Sequence, residues 1–322
     1  MSEVSRQASA KVLAATMTLM AREMGALTPP LSLWMPQPTA IDIKDAAQAV
    51  ISGQAVVLWV DDSHPAMGLA VCQTQPLESL LLGQGSLRLI GPYMVEPDSL
   101  QRYQNTKILA AKAKEVAKIS QGQFLSIKTW HDGAILRALI DEGFQMAEIG
   151  AKLTGTLDFD PQANDFSNIA GVSLRKVKGY EIPGLLDEFG ELFYDGHLKH
   201  GPYLPSGFQN ALWREVALTD FKRKEPFVFL FQDRPEEPIG LAWGAVSAPA
   251  STLRAIHVSQ NRRGQGLGAY LLKALFKQMN QLGAKRITVE TASWNLPALR
   301  LYQALGLVHD TPLVALHYKP KS

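Results

Sequence analysis

Residues 262–268 combine two arginines with three closely spaced glycines, a composition suited to binding an anionic ligand. The segment reads Arg-Arg-Gly-Gln-Gly-Leu-Gly. Because glycine lacks a Cβ atom, the backbone at Gly264, Gly266 and Gly268 can turn tightly and bring successive N–H groups against a ligand. The two arginines add positive charge beside these groups. Such a corner favours the binding of a phosphate or a pyrophosphate.

A predicted strand and a predicted helix flank the glycine-rich segment. Residues 253–258 form an apolar run that predicts an extended strand. From residue 267 to about residue 281, apolar side chains recur at helical spacing. The predicted order is therefore strand, turn and helix. The first N–H groups of such a helix lack intrahelical partners, and the helix dipole favours a negative ligand there.

A second motif follows one helix and one strand later. Residues 285–290 predict a short strand, and residues 295–307 read Asn-Leu-Pro-Ala-Leu-Arg-Leu-Tyr-Gln-Ala-Leu-Gly-Leu. Asn295 is a good N-cap, a proline is tolerated in a first helical turn, and Gly306 is placed to end the helix. The pattern predicts a second helix, which carries Tyr302.

Together the two motifs resemble those of the GNAT (GCN5-related) N-acetyltransferase superfamily. The segment Arg263-x-x-Gly266-x-Gly268 is similar to its acyl-CoA loop, and residues 295–307 are similar to its second signature, with Leu307 in place of phenylalanine. The resemblance implies a mixed α/β fold and transfer of an acetyl group from acetyl-CoA, as co-substrate, to a primary amine. It implies coenzyme binding by Ile256, Val258, Arg263, Gly264, Gln265, Gly266, Leu267, Gly268, Asn295 and Ala298.

Acyl transfer needs groups that stabilise an oxyanion and move protons. The resemblance places the thioester carbonyl on the backbone N–H near Val258, where the fourth strand of the family splays from its neighbour. Tyr302 is the candidate general acid, because a phenol can give a proton to the leaving thiolate. An amine that arrives already deprotonated needs no base. The candidates for a base are Glu290, His257, His197 and His200.

Residues 194–205 form a histidine-rich connection between two predicted helices. In a GNAT fold the connection after the first helix covers the acceptor side of the cleft, so His197, His200 and Tyr203 are candidates to bind an anionic or sugar-like acceptor. A solvated loop is the alternative. Metal binding is not predicted, because no third ligand accompanies the two histidines at a suitable spacing.

The tandem arrangement and this connection resemble dTDP-fucosamine acetyltransferase and related sugar-amine acetyltransferases. The resemblance covers about residues 75 to 320, and the two motifs are its specific part. Those relatives are expected to carry Ser-Arg-Phe where residues 196–198 read Gly-His-Leu. The implied acceptor is an amino sugar or a nucleotide-linked amino sugar.

The first half of the chain resembles a second, degenerate copy of the same fold. Residues 87–92 are similar to residues 253–258, and a capping residue precedes a glycine by the same spacing in Asp132 to Gly143 as in the second motif. Residues 93–98 read Tyr-Met-Val-Glu-Pro-Asp where the later copy has arginines and glycines. We expect two carboxylates to repel a pyrophosphate, so this copy is predicted to bind no CoA. Chance similarity between two ordinary α/β units is the alternative.

Length and composition limit the number of domains, the partners and the location. A chain of 322 residues with 46% hydrophobic content predicts one large or two ordinary domains. A net charge of +2 is too small to argue for nucleic acid, and no apolar run is long enough to predict a membrane helix. The single cysteine, Cys72, lies in an apolar strand-like run and predicts buried packing, which fits a reducing, cytoplasmic location.

The predicted division places an N-terminal helix and irregular lead-in at residues 1–40, a degenerate GNAT-like domain at 41–160 and a catalytic GNAT domain at 170–322. Two other functions stay open. One is acetylation of a protein amino terminus, a polyamine or an antibiotic, and an acidic acceptor cleft would favour the polyamine. The other is CoA binding by a regulator without turnover. A homodimer is one alternative for the oligomeric state.

Overall fold

The structure is a computed structural model that describes residues 6–7, 9–16, 18, 40–61, 63–64, 67–94, 98–120, 122–130, 132–157, 171–175, 177–189, 203–233 and 236–320. These residues divide into two compact units. Unit 1 contains the described residues up to Ile149 together with residues 203–205 and 311–320, and unit 2 contains those of 150–189 and 206–310. None of the helices within these ranges is both long and apolar enough to cross a lipid bilayer.

Helices and strands alternate along the first half. In chain order they are α1 (Ala40–Ile51), β1 (Ala55–Trp59), β2 (Leu69–Thr74), α2 (Pro76–Leu82), β3 (Gly85–Tyr93), α3 (Ser99–Ile119), β4 (Gly122–Trp130), α4 (Gly133–Asp141) and β5 (Gln145–Thr156). Helix α2 is absent from the sequence expectation, because a short run that starts with proline gives little periodicity. Residues 9–16 are also helical, and Ala10 and Leu13 are buried in the core of unit 1.

The second half repeats this alternation. Its elements are β6 (Val172–Arg175), α5 (Ile182–Glu188), α6 (Phe208–Lys222), β7 (Phe227–Asp233), β8 (Glu236–Ser247), β9 (Ala250–Val258), α7 (Leu267–Gln281), β10 (Arg286–Ala292), α8 (Leu296–Ala304) and β11 (Val308–Tyr318). The sequence predicts a helix from residue 182 to residue 193; it is observed as α5, Phe189 follows it in a turn, and residues 190–193 lie outside the described residues.

Both units contain the same succession of strand pairings. In unit 1, β1–β2 and β2–β3 are antiparallel, β3–β4 is parallel and β4–β11 is antiparallel. In unit 2, β7–β8 and β8–β9 are antiparallel, β9–β10 is parallel and β10–β5 is antiparallel, while β6 adds an antiparallel strand beside β7. The repeat predicted from the sequence is therefore present in the strand arrangement.

Each unit takes its last strand from the other half of the sequence. Residues 150–156 of β5 pair with β10 in unit 2, and residues 313–318 of β11 pair with β4 in unit 1. These units therefore have other bounds than the predicted division into residues 41–160 and 170–322. The stretch between β5 and β6 contains turn-forming residues, but residues 150–156 of β5 already belong to the second unit.

The cores follow from which side chains face the sheets. In unit 1 one face of α3 is lined by small buried residues, including Ala110, Ala113 and Ala117, and Cys72 is buried in the same core, as predicted. Unit 2 has a core on each face of its sheet. One packs α7 against the sheet through residues that include Leu271, Leu275 and Met279. The other packs α5 and α6 through residues that include Ile182, Ala217 and Trp243.

Candidate active site

The strands β9 and β10 separate soon after they pair. Their parallel register covers only Ala250–Thr252 against Arg286–Thr288, although β9 continues to Val258. The N–H of Ser259 donates to the Ile239 carbonyl at 2.9 Å, towards β8. Because N–H directions alternate along a strand, those of Ile256 and Val258 point to the opposite, open side. Backbone donors therefore line the gap where the strands splay.

A β-bulge precedes the open part of β9. The register with β8 shifts between Trp243 and Gly244, which leaves Arg254 as an extra residue in β9. Nε of Arg254 lies 3.6 Å from Oδ2 of the buried Asp220 on α6. A bulge bends its strand and increases the local twist. The bend accounts for the separation of β9 from β10.

The glycine corner after β9 leaves its backbone donors available to a ligand. Gly264 and Gly266 adopt φ values of +78° and +77°, and no atom lies within 4 Å of a Cβ built at either position. Gly266 is the N-cap of α7, and no side chain hydrogen-bonds to that cap. The N–H groups of the first turn of α7 therefore lack an intrahelical partner.

The two arginines of the corner have different surroundings. Nε of Arg263 donates to the Val258 carbonyl at 3.0 Å, which ties the corner to the open side of β9. Nε of Arg262 is buried and has no hydrogen-bond partner among the described residues. A cationic corner with an unused buried donor, open backbone N–H groups and glycines that lack a Cβ atom fits a pyrophosphate-bearing coenzyme.

Gly268 brings the corner together with β9 and α8. A Cβ built at Gly268 would lie 3.2 Å from Cδ2 of Leu301 and 3.8 Å from Cδ1 of Ile256. Leu267, the first residue of α7, is buried in the adjacent core, so only its backbone faces the corner. Gln265 is exposed. The predicted coenzyme residues on β9, the corner and α7 thus form one continuous region.

Helix α8 carries the predicted proton donor. Oδ1 of its N-cap, Asn295, accepts from the Ala298 N–H at 3.3 Å, and Nδ2 of Asn295 donates to Oγ1 of Thr291 at 3.2 Å. Tyr302 is 4% exposed, and burial raises the pKa of its phenol. Its hydroxyl makes no hydrogen bond with any other residue of the described ranges. The phenol is therefore protonated at neutral pH.

His257 lies on the other face of the sheet from α7. Its ring centroid is 5.4 Å from that of Phe189, in an edge-to-face arrangement, whereas Ile256 and Val258 pack on the α7 side. Burial, together with the charge of Arg263, lowers the pKa of His257 to about 4. The imidazole is therefore neutral at neutral pH and can accept a proton.

The other predicted site residues are Glu290, Tyr203, His197 and His200. Glu290 is exposed and lies opposite Lys152 in the β10–β5 register. Tyr203 is half-buried and belongs to unit 1, while His197 and His200 lie outside the described residues. No role was predicted from the sequence for Phe189 or Arg254. Neither had a signal in the sequence, because the importance of each depends on a tertiary contact.

A protein-family model matches part of the second half of the chain. Residues 185–307 match the model of the acetyltransferase (GNAT) family. That segment contains α5 to α8, including the glycine corner, His257 and Tyr302. A search of curated protein sequences gave no match.

Solved structures match a larger part of the chain. A tandem GNAT protein from the clavulanic acid biosynthesis pathway is 15% identical, with a TM-score of 0.60 and 97% of each chain covered. A GCN5-related N-acetyltransferase from Sphaerobacter thermophilus is 16% identical, with a TM-score of 0.59 and coverage of 86% of this chain and 87% of the other.

A third similar structure is a GCN5-related glucosamine N-acetyltransferase region of a fungal multi-domain β-N-acetylglucosaminidase. It is 12% identical, with a TM-score of 0.53 and coverage of 80% of this chain and 32% of the other. At these identities the likeness shows the fold, and it confirms the predicted mixed α/β, tandem architecture. Residues 185–307 therefore match the acetyltransferase (GNAT) family, and the chain as a whole has the fold of a tandem GNAT protein.

Proposed function

We propose that unit 2 transfers the acetyl group of acetyl-CoA to the primary amine of a small molecule. The observation that carries the proposal is the uncapped glycine corner beside the splayed end of β9. Backbone N–H groups from residue 264 onwards, with Arg262 and Arg263, would hold the pyrophosphate. Asn295 and Ala298 begin α8, whose Leu301 contacts the same corner through Gly268.

Acetyl-CoA supplies an activated acetyl thioester when it is bound. The N–H of Val258 points into the splay, so it can donate to the thioester carbonyl oxygen as negative charge develops there. Tyr302 holds a proton at all neutral pH values and can give it to the sulfur that leaves. The raised pKa weakens Tyr302 as an acid, so donation requires a thiolate in the same poorly solvated surroundings.

His257 is our candidate for the group that accepts the proton of the amine. It precedes the carbonyl-binding residue Val258 and projects from the opposite face of the same strand. Its lowered pKa keeps the imidazole neutral, as a base must be, although a low pKa also makes the base weak. Glu290 lies on the neighbouring strand and is the alternative, acting directly or through water.

An amino sugar is the acceptor suggested by the sequence resemblance. The fold match to a glucosamine N-acetyltransferase region agrees with such an acceptor but does not select it. The two histidines that would contact the sugar lie outside the described residues. We therefore treat amino sugars and nucleotide-linked amino sugars as one arm of the acceptor test.

The proposal is tested by calorimetry with acetyl-CoA, followed by measurement of acetyl-CoA consumption with amino sugars, nucleotide-linked amino sugars, aliphatic polyamines and peptides. We expect binding of one coenzyme per chain and amine-dependent release of free thiol. Binding without turnover of any amine would favour the regulator alternative. A chain that does not bind the coenzyme would contradict the proposal.

A further inference from the structure

A pocket of about 340 Å³ lies in unit 2 beside α5. It is lined by Arg175, Glu181, Gly184, Leu185, Glu188, Phe231 and Pro238. None of these residues belongs to the coenzyme corner. The pocket is open to solvent, and its lining combines a leucine, a phenylalanine and a proline with three charged side chains.

The strand register connects this pocket to His257. Arg175 on β6 pairs with Phe229, Phe229 pairs with Leu241, and Leu241 pairs with His257. These four residues form one row across the sheet, and directly paired side chains share a face. The pocket and the candidate proton acceptor therefore lie on the same face of unit 2.

Helix α5 crosses the sheet between the same two points. Oε1 of Glu181, at its start, accepts from Nη2 of Arg175 at 2.9 Å, and Phe189, at its end, contacts the ring of His257. From residue 181 to residue 189 a helix advances ~12 Å, close to the ~14 Å that three interstrand spacings require. The pocket follows α5 and includes Glu188, the residue before Phe189.

The charges of the pocket do not cancel. Arg175 is paired with Glu181, and its guanidinium lies 4.3 Å from the centroid of the Phe231 ring. The backbone N–H of Lys178 also donates to Glu181, and hydrogen bonding, chiefly from this N–H, lowers the pKa of the Glu181 carboxyl. Glu188 is exposed and forms no ion pair with the described residues. The pocket therefore has a net negative charge beside an apolar wall.

From this arrangement we propose that the pocket binds the distal ammonium group of an acceptor that carries two amines. This inference rests on the proposed function, and it narrows the acceptor to an aliphatic diamine or polyamine. One amine would lie at His257 and the second ammonium at Glu188, with the methylene chain along the end of α5 between them. A nucleotide-linked sugar would place phosphates near the same carboxylate, which like-charge repulsion disfavours.

Matched acceptors test this inference. Each diaminoalkane is compared with the amino alcohol of the same chain length, which retains the reacting amine and replaces the distal ammonium by a neutral hydroxyl. Glucosamine and a nucleotide-linked amino sugar form the second arm. We expect kcat/KM to be highest for a diamine or polyamine and at least ~10-fold lower for the matched amino alcohol.

Glu188→Gln removes the charge with little change in shape. We expect it to raise KM for the preferred diamine ~3- to 10-fold, with a smaller change in kcat and a smaller effect on the amino alcohol. Asp187→Asn is the matched control, because Asp187 is the preceding residue on α5 and pairs with Arg214 outside the pocket. The control should leave the ratio of diamine to amino alcohol unchanged.

The outcomes separate this inference from the proposed function. Efficient acetylation of amino sugars with no preference for diamines would overturn the inference and retain the proposed function. Equal effects of Glu188→Gln and Asp187→Asn on the diamine would also overturn it, since the pocket would then contribute only general charge. Failure to bind acetyl-CoA would remove both.

Discussion

Each unit has a strand followed by a helix, β3 and α3 in unit 1 and β9 and α7 in unit 2, but the N-caps of the two helices differ in charge. In unit 1, Oδ1 of Asp98 accepts from the Gln101 N–H at 2.8 Å, so a carboxylate caps α3. In unit 2 the corresponding cap of α7 is Gly266, which brings no side chain. A helix start capped by a carboxylate has a satisfied donor and a negative charge. A helix start capped by glycine retains free donors for an anionic ligand.

The position one turn into each helix shows the same contrast. Arg102 in α3 lies 3.3 Å from Asp132, the N-cap of α4, and both side chains are only 11% exposed. The equivalent positions in unit 2 carry Tyr270 and the neutral cap Asn295. Unit 1 therefore joins its two helix starts by an internal ion pair. Unit 2 has no such pair between the described residues at these positions, which supports our expectation that it alone binds the coenzyme.

The largest effect is expected at Tyr302, which follows its N-cap Asn295 by the same spacing as Leu139 follows Asp132 in unit 1. If Tyr302 donates the proton to sulfur, Tyr302→Phe should lower kcat by ~10²- to 10⁴-fold while binding of acetyl-CoA changes little. Tyr103→Phe in unit 1, which removes a hydroxyl that donates to Asp141, is the control and should leave turnover unchanged. Unchanged kcat in Tyr302→Phe would remove the assigned role.

The ion pair of unit 1 is expected to contribute stability without contributing to catalysis. Arg102→Met leaves Asp132 mostly buried and unpaired, so the free energy of unfolding should fall by about 2–4 kcal/mol. Arg137→Met, at an exposed pair with Asp141, should cost less than about 0.5 kcal/mol. Urea denaturation measures both variants. A loss of coenzyme affinity in folded Arg102→Met would contradict the contrast between the units.

Gly266→Asp gives α7 the carboxylate cap that α3 has in unit 1. Gly266→Asp should weaken binding of acetyl-CoA ~10- to 100-fold, because the new carboxylate both caps α7 and repels a pyrophosphate. Gly266→Asn is the matched control, since it imposes the same strain at a φ of +77° without the charge. Calorimetry should show much weaker binding by the aspartate variant than by the asparagine variant. Equal affinities would argue against a pyrophosphate at this corner.

The smallest effect concerns the pH dependence of stability. Burial lowers the pKa of both His257 in unit 2 and His317 in unit 1 to about 4, from an ordinary value near 6.5. Between these values the unfolded chain binds protons that the folded chain does not, so stability is lost as pH falls from about 6.5 towards 4. His257→Gln should reduce this loss relative to wild type in urea denaturation at several pH values. An identical pH profile would show that His257 does not titrate as described.

Local periodicity predicted most of the helices and strands, because each depends on neighbours along the chain. The glycine corner was expected between a strand and a helix, and it lies between β9 and α7. The splay of β9 was anticipated only through the family resemblance. Its cause, the bulge at Arg254 with its contact to Asp220, depends on a strand and a helix distant in sequence.

Features that depend on long-range packing could not be predicted. The sequence marks a turn-rich stretch after β5, and a boundary placed there separates β5 from its partner β10. The row that joins Arg175 to His257 requires the registers of four strands, none of which is encoded locally. The pocket beside α5 therefore could not be predicted from the sequence.

The exchange of terminal strands makes the two halves depend on each other during synthesis. The partner of β10, residues 150–156 of β5, is made before the rest of unit 2, so the second sheet can close as soon as β10 has left the ribosome. The partner of β4 is made last, and unit 1 must wait with an open edge until residues 313–318 emerge. A chain cut between β5 and β6 would give two fragments, each of which lacks one strand of its sheet. The complete sheets would form only after the two fragments associate.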